Sequence, residues 1–365
     1  MEARIKRSTF LTLGQLKMVF NLIGKPPSGY FGYQIDQSGL FDGSSDYLSW
    51  TPGSSPSDGT RWTLKLDIKR GELGEGKIIS AGSSGNETFL MFKGTDELRL
   101  YQIASSSTVF DVATDMKFRD FGSFYQIVIV YNSNAGLSSD RLKIFVGGAK
   151  VSLNYSTLIP STNTTDLNTT DAHNIMRRVN GSTDHCGGNV SAMYMLDGQA
   201  HSDASEFGEF WNGTSAWRLI NPTSLTYGTN GWHLDFSNGS DLGEDQSGNN
   251  NDWTNNGVTQ SSDSPTVNVC TYNSLQTASS VTLSNGNRTA AHGAFSSNGG
   301  TYGTIALASG RWYWETTVDA LSSGAIFLGV VAAGDAEPHT TLFANGSTGY
   351  SYRSNGQKRS NSIDA

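Results

Sequence analysis

Apolar and polar residues alternate over much of this chain. From Arg61 to Lys69, Trp62, Leu64, Leu66 and Ile68 take one side while Thr63, Lys65, Asp67 and Lys69 take the other, which predicts an antiparallel strand with one buried and one solvated face. Leu98 to Ile103, Arg141 to Val146 and Ala192 to Asp197 predict further strands. Phe124 to Tyr131 is apolar on both sides apart from Gln126, so it should lie centrally in a sheet covered on both faces. The core is expected from Trp62, Leu64, Leu66, Ile68, Val128, Val130, Ile144 and Met195. Two segments depart from the period of two. Leu13, Leu16, Phe20 and Ile23 follow one another at three, four and three residues, the rhythm of a short amphipathic helix or a two-heptad seam, which Gly24, Pro26 and Pro27 end. Asp203-Ala204-Ser205-Glu206 has a capping-box pattern and predicts a turn or two of helix carrying Phe207 and Phe210.

Composition supports an all-β reading. The 365 residues include 42 Gly and only 8 Pro, the usage of a chain that turns often between short strands, and the length allows two or three domains. The net charge of −8 argues against nucleic acid as a partner, since phosphate binding needs a basic surface. No stretch approaches the roughly 18 apolar residues of a membrane helix, so no membrane insertion is expected. Two Cys cannot make a disulfide framework and are expected to be free thiols. The start is different in kind: Arg4, Lys6, Arg7, Lys17 and Lys25 face Glu2 alone. The apolar run behind them is broken by Gln15, Lys17 and Asn21, so it reads as a retained arm rather than a signal peptide.

Catalytic chemistry is hard to find. The six His residues never stand in an i, i+4 or H-x-H relation, and there is no G-x-S-x-G elbow and no P-loop. No strand carries alternate carboxylates of the kind a glycosidase would aim into a cleft. Asp184-His185-Cys186 reads as incidental rather than as a reactive thiol. Asp245, Ser247, Asn249 and Asn251 offer oxygen at alternate positions, as calcium prefers, but the loop lacks the Gly and bidentate Glu of an EF-hand. An Asx-stabilised turn without an ion is the favoured reading. Aromatic residues beside amides and carboxylates are the candidate glycan or receptor contacts: Trp211 with Asn212, and Trp253 with Asn251 and Asp252. The sequons from Asn86 to Asn345 reflect Asn, Ser and Thr abundance.

Several segments resemble known families. Gly39-Leu40-Phe41-Asp42-Gly43, the Trp62 strand, Tyr125 to Val130, and Leu142-Lys143-Ile144-Phe145-Val146-Gly147-Gly148 together resemble the laminin-G-like, concanavalin A-like sandwich. Met195-Leu196-Asp197-Gly198-Gln199-Ala200 with Phe207-Gly208-Glu209-Phe210, then Gly231 to Phe236 and Asp245 to Trp253, resemble such domains in structural proteins of tailed bacteriophages. Arg311 to Val318 with Ile326 to Val331 is similar to the SPRY sandwich, although the pattern stops early, so the natural polypeptide is expected to continue. In laminin-G-like domains the Asp-x-Ser-Gly-Asn strand often precedes the Phe-Asp-Gly strand. Here it follows, so Trp232 to Trp253 should fold back beside the first strands.

The resemblance implies an arm over 1–27, a concanavalin A-like sandwich over 28–258, a linker over 259–280 and a SPRY-like sandwich over 281–365. It also implies a non-enzymatic tail fibre, spike or head fibre of a phage particle. Arg4, Lys6, Arg7, Leu13, Leu16, Phe20 and Ile23 would dock to other virion proteins and assemble a homotrimer, and the sandwiches would meet a host-surface glycan or receptor. The alternatives are a glycan-cleaving enzyme on the same scaffold, or a lectin or SPRY-type protein-binding module.

Overall fold

The alternating segments form two antiparallel sheets. The computed structural model describes residues 4–7, 15–19, 32–181, 183–292, 299–306, 314–319, 326–331, 350–360 and 363–364. Its two compact units are Lys25–Asn268, and Met1–Gly24 together with Val269–Ala365. Among the described residues the regular structure is strand, apart from three single turns of 3-10 helix, and no helix is long and apolar enough to cross a membrane.

In the larger unit, sheet I runs in the order Ala149–Lys150, Leu142–Val146, Tyr125–Asn132, Arg61–Arg70, Gly187–Asp197, Ser38–Asp42 and Thr259–Ser261, with Trp232–Leu234 also pairing to Gly187–Asp197. Sheet II runs Leu153–Thr157, Ser107–Lys117, Glu97–Ala104, Asn86–Phe92, Gly76–Ser83, His173–Ile175, Tyr47–Trp50 and Thr254–Asn256. The inner faces share one apolar core. Trp62, Leu64, Leu66, Ile68, Ile127, Ile129, Ile144 and Met195 of sheet I lie there with Leu90, Phe92, Leu100 and Phe110 of sheet II. Trp62 stacks on Tyr131 at 5.1 Å and its Nε1 donates to Thr165 Oγ1 at 2.9 Å, so a large indole is buried without an orphan donor.

The segment from Trp232 onward does fold back. Thr259–Ser261 pairs with Ser38–Leu40, Thr254–Asn256 pairs with Tyr47–Ser49, and the Phe236 ring packs so close to Gly39 that a Cβ there would meet it. Residues 259–261 are therefore an edge strand of sheet I rather than the start of a linker.

Sheet I is covered on its outer face as well. Val128 and Val130 belong to a second apolar layer with Ile35, Phe145, Ala192, Tyr194, Leu196, Ala204, Phe207 and Leu219, instead of to the inter-sheet core. This layer also encloses the polar side of Arg61–Arg70, which was expected to be solvated. Thr63 Oγ1 donates to the Gln199 carbonyl at 2.9 Å, Lys65 Nζ to Asp67 Oδ2 at 2.6 Å, and Lys69 Nζ to Asp263 Oδ2 at 3.0 Å. Polar residues are tolerated inside when each finds a partner, and here the partners come from the same strand or from far along the chain. The Asp203 segment is a single turn, closed by Phe207 N–H donating to the Ala204 carbonyl, and Phe210 lies in the strand Gly208–Phe210.

In the smaller unit, Gln15–Val19 is a strand between Thr289–His292 and Glu315–Val318, and Arg4–Arg7 pairs in parallel with Glu315–Val318. The helix expected through Leu16 does not form. Gln15, Leu16, Lys17, Met18 and Val19 also read as alternating residues, and a helix of so few turns is marginal alone, whereas two neighbouring strands supply its backbone partners. The seam that motivated a homotrimer loses its basis over these residues, and Leu13, Phe20 and Ile23 lie outside the described ones. Of the SPRY-like segment, Glu315–Val318 and Phe327–Val330 are strands, the latter paired with Tyr350–Arg353.

Candidate functional site

The outer face of sheet I carries a two-stranded hairpin, Gly208–Phe210 with Trp217–Leu219, joined through Trp211–Gly213. Asn212 takes a left-handed φ of 45° at the tip, which an Asn tolerates better than most residues, and Thr214 Oγ1 donates to the Trp211 carbonyl at 2.6 Å to close the turn. Trp217 lies over the Gly147-Gly148 turn and Gly208. A Cβ at Gly148 or Gly208 would overlap its ring, so both positions need glycine. Phe210 packs edge-on to Trp217 at 5.1 Å and is half exposed. Arg218 places its guanidinium 4.0 Å from the Trp211 ring centre and donates from Nε to Glu209 Oε1 at 2.8 Å. Trp211 and Asn212 thus stand at the hairpin tip, with one face of the Trp211 ring covered by Arg218, and neither is among the residues that wall the cleft beside it.

Between this hairpin and sheet I is a cleft of about 200 Å³ walled by Phe124, Gln126, Trp217, Arg218, Pro265 and Asn268 among others. Its size is below the roughly 300 Å³ at which pockets for drug-sized ligands begin, so it suits one sugar residue or a short branch. Trp217, Phe124, Arg218, Gln126 and Asn268 make up its wall together with Ser123, Leu219 and Pro265, and no carboxylate is among these described lining residues. Gln126 Oε1 is buried and has no hydrogen-bond partner among the described residues, an unused acceptor in this wall. Gln126 stands out in the sequence only as the polar exception in an otherwise apolar strand. Phe124 and Asn268 carried no signal for this wall.

The second predicted group is divided. Trp253 is only 2% exposed and lies between the sheets, 5.1 Å from the Trp232 ring and 5.5 Å from that of Trp50, so it closes the sandwich and presents no face to a sugar. Its Asn and Asp neighbours suggested a surface loop, but the chain turns inward at this residue, where its N–H donates to the Gly243 carbonyl at 2.8 Å. Asn251 Nδ2 is spent on the Gly231 and Thr229 carbonyls, and Asp252 Oδ1 accepts from the Asp245 N–H at 2.9 Å.

The Asp245 loop is bonded to itself. Asp245 Oδ1 accepts from His233 N and Ser247 N, Oδ2 accepts from Ser247 Oγ and Asn251 N, and Asn249 Nδ2 donates to the Gly228 and Gly231 carbonyls. These are the bonds of nested Asx turns, and a cation on Asp245 would have to displace them. Among the described residues no three His, Cys, Asp or Glu side chains are grouped as metal ligands.

Other titratable groups near the outer layer are set by burial. Asp67 is pushed up to about 6 and Lys65 is lowered, because both are enclosed and only partly offset one another. The Ala192 backbone has a left-handed φ of 44° at a bulge in Gly187–Asp197, and its carbonyl accepts from Lys65 Nζ at 3.0 Å. Tyr194 stacks on His233 at 3.9 Å, and burial lowers His233 to about 4, so its ring is neutral near pH 7. Cys186 is buried, and burial pushes its thiol up to about 12, the environment of a structural rather than a reactive thiol.

Comparison with known proteins bears on the larger unit. No curated protein matches the sequence. Among solved structures, a candidate carbohydrate-binding protein from Bacteroides ovatus is similar at 16% identity and a TM-score of 0.43, over 63% of this chain and 60% of that one. Domain 4 of the extracellular arabinanase AbnA from Geobacillus stearothermophilus, in complex with arabinotriose, is similar at 12% identity and 0.34, over 51% of this chain and 84% of that one. The sialidase module CBM40 of Ruminococcus gnavus, bound to sialyllactose, is similar at 9% and 0.32, over 47% and 97%. Residues 42–205 match the family model described as the concanavalin A-like lectin/glucanases superfamily, and the chain is all-β with a concanavalin A-like sandwich as its larger unit.

Proposed function

We propose that this chain is a non-catalytic structural and attachment protein of a bacteriophage particle, holding a host-surface glycan in the cleft on the outer face of sheet I. The observation that carries the reading is the wall of that cleft: the Trp217 and Phe124 rings, the Arg218 guanidinium and the Gln126 and Asn268 carboxamides, with no carboxylate among them. Aromatic faces cover the apolar side of a pyranose, while planar amides and guanidinium meet its hydroxyls. Hydrolysis of a glycoside would need an acid and a base or nucleophile beside the sugar, and this wall offers neither. The matched family includes lectins by its description, in agreement with binding. The virion location rests on the resemblance of residues 195–210, 231–236 and 245–253 to phage structural proteins. Attachment to the particle is assigned to the smaller unit, in which the basic strand Arg4–Arg7 is paired.

The test is calorimetric titration of the full chain with bacterial envelope polysaccharides and their oligosaccharides, alongside an assay for new reducing ends. The expected result is saturable binding that Gln126→Leu weakens at least several-fold, with no reducing ends released. Release of reducing ends would overturn the non-catalytic reading. Binding that Gln126→Leu leaves intact would overturn the assignment to this cleft. Labelling of intact phage particles by antibody to this chain tests the location, and its absence from purified particles would refute it.

A further inference from the structure

One cluster of polar side chains lies behind the wall of the cleft and shares Asn268 with it. Lys69 stands on the outer side of Arg61–Arg70 and is almost fully buried, as is Asp263. Lys69 Nζ donates to Asp263 Oδ2 at 3.0 Å and to Oδ1 at 3.4 Å, and also to Asn268 Oδ1 at 3.2 Å. The Phe124 ring lies 5.9 Å from the same nitrogen. The surrounding bonds hold these groups in place: Asn268 Nδ2 donates to the Gly122 carbonyl at 2.8 Å, Asp263 N to Ser261 Oγ at 3.1 Å, and Ser38 Oγ to the Asp263 carbonyl at 2.6 Å. A buried amine and a buried carboxylate thus meet a carboxamide that is half-buried at the cleft, although Lys69 and Asn268 are 199 residues apart. A lysine and an aspartate would suffice for a buried ion pair, which contributes little to stability. The carboxamide within reach of the same amine is what an acyl transfer requires.

We propose that these three residues form an intramolecular isopeptide bond between Lys69 and Asn268, with Asp263 as the proton carrier. Asp263 takes a proton from the Lys69 ammonium, and the freed lone pair adds to Asn268 Cγ as Nζ moves from the amide oxygen to the face of the carbonyl. Asp263 then passes a proton from the new C–N link to the carboxamide nitrogen. The old C–N bond breaks and ammonia leaves. One amine and one primary amide give one secondary amide and one ammonia, with no change of oxidation state and no co-reactant. Asn268 itself lines the outer cleft, which provides the exit.

The bond has a mechanical consequence. Asn268 is the last residue of the larger unit, and the nearby strand Thr259–Ser261 is an edge strand that pairs, among the described residues, with Ser38–Asp42 alone. With the bond in place, a pull through Asn268 reaches a central strand directly instead of peeling that edge. An attachment protein under load gains from this.

The test is the intact mass of the purified full chain, with tandem mass spectrometry of its tryptic digest. The expected chain is lighter than its sequence by one ammonia, resists cleavage after Lys69, and yields a branched peptide joining Lys69 to Asn268. Asn268→Ala should restore the full mass, Asn268→Asp should lose one water instead, and Asp263→Asn should lower the crosslinked fraction at least tenfold. A wild-type chain of full mass, cleaved after Lys69, overturns the proposal whether or not the variants fold. An undiminished crosslink in Asp263→Asn overturns the role of that carboxylate.

Discussion

Replacing Trp253 by Ala separates a residue that closes the sandwich from one that holds a sugar. Its side chain is 2% exposed and lies against the Trp50, Trp232 and His173 rings at 5.5, 5.1 and 6.3 Å. Truncating a buried Trp costs about 3–5 kcal/mol through lost transfer energy and the cavity left behind. For a unit of this size each kcal/mol moves the midpoint by about 2–4 °C, so the variant should melt roughly 6–20 °C lower. Trp253→Phe provides an internal control. The Nε1 proton is buried without an acceptor among the described residues, and an unpaired buried donor costs about 1–3 kcal/mol, so removing it offsets much of the smaller ring's lost area. The Phe variant should fall within about 2 kcal/mol of wild type. The assay is denaturant unfolding of the full chain followed by intrinsic fluorescence, with glycan binding measured well below the transition. If Trp253→Ala unfolds within about 1 kcal/mol of wild type yet loses glycan binding, the core assignment is wrong.

Three further outcomes follow from the buried polar groups. Asp67→Ala, which strands the enclosed Lys65, should cost about 3–5 kcal/mol in urea unfolding, whereas Lys65→Met with Asp67→Leu should cost far less; equal costs would show that the pair is not enclosed. His233 is held near 4 in the fold against an ordinary 6.5, so its contribution is complete above pH 6.5 and is lost as pH falls from there toward 4, by at most about 3 kcal/mol. Asp67, raised to about 6, acts in the opposite sense, its contribution being lost as pH rises through that value. His233→Phe isolates the first effect, and an unchanged pH profile in that variant would refute it. Asp245→Ala, which leaves the donors of His233, Ser247 and Asn251 unmatched, should lower the melting temperature equally with and without calcium, and chelation of wild type should change nothing. A calcium-dependent difference would make the loop a metal site.

The inward side of the sandwich was legible because its signal is local. Trp62, Leu64, Leu66 and Ile68 stand at alternate positions and all face the core, and the apolar Tyr125–Asn132 strand is indeed covered twice. What covers sheet I from outside was not legible, since the layer around Phe207 and Leu219 arrives more than a hundred residues after Arg61–Arg70 and uses no periodic pattern. Lys65, Asp67 and Lys69 read as solvated because charge predicts exposure until a partner is known, and the partner of Lys69 is Asp263. Gln15–Val19 fits both periods, and only the neighbouring strands decide between them. Trp211 and Asn212, singled out by aromatic and amide adjacency, stand at the hairpin tip and are not among the residues that wall the cleft. The same adjacency misled at Trp253, where the polar neighbours are turn-formers leading back into the core.

The central claim is that a sugar is held between the hairpin and the outer face of sheet I. A crystal structure of the full chain with an envelope oligosaccharide selected by titration tests it most directly. The account predicts a sugar residue in the cleft, one face toward Trp217 or Phe124 and a hydroxyl within hydrogen-bond distance of Gln126 or Arg218. A saturating sugar bound at any other surface of the chain, with this cleft filled by water, would contradict it.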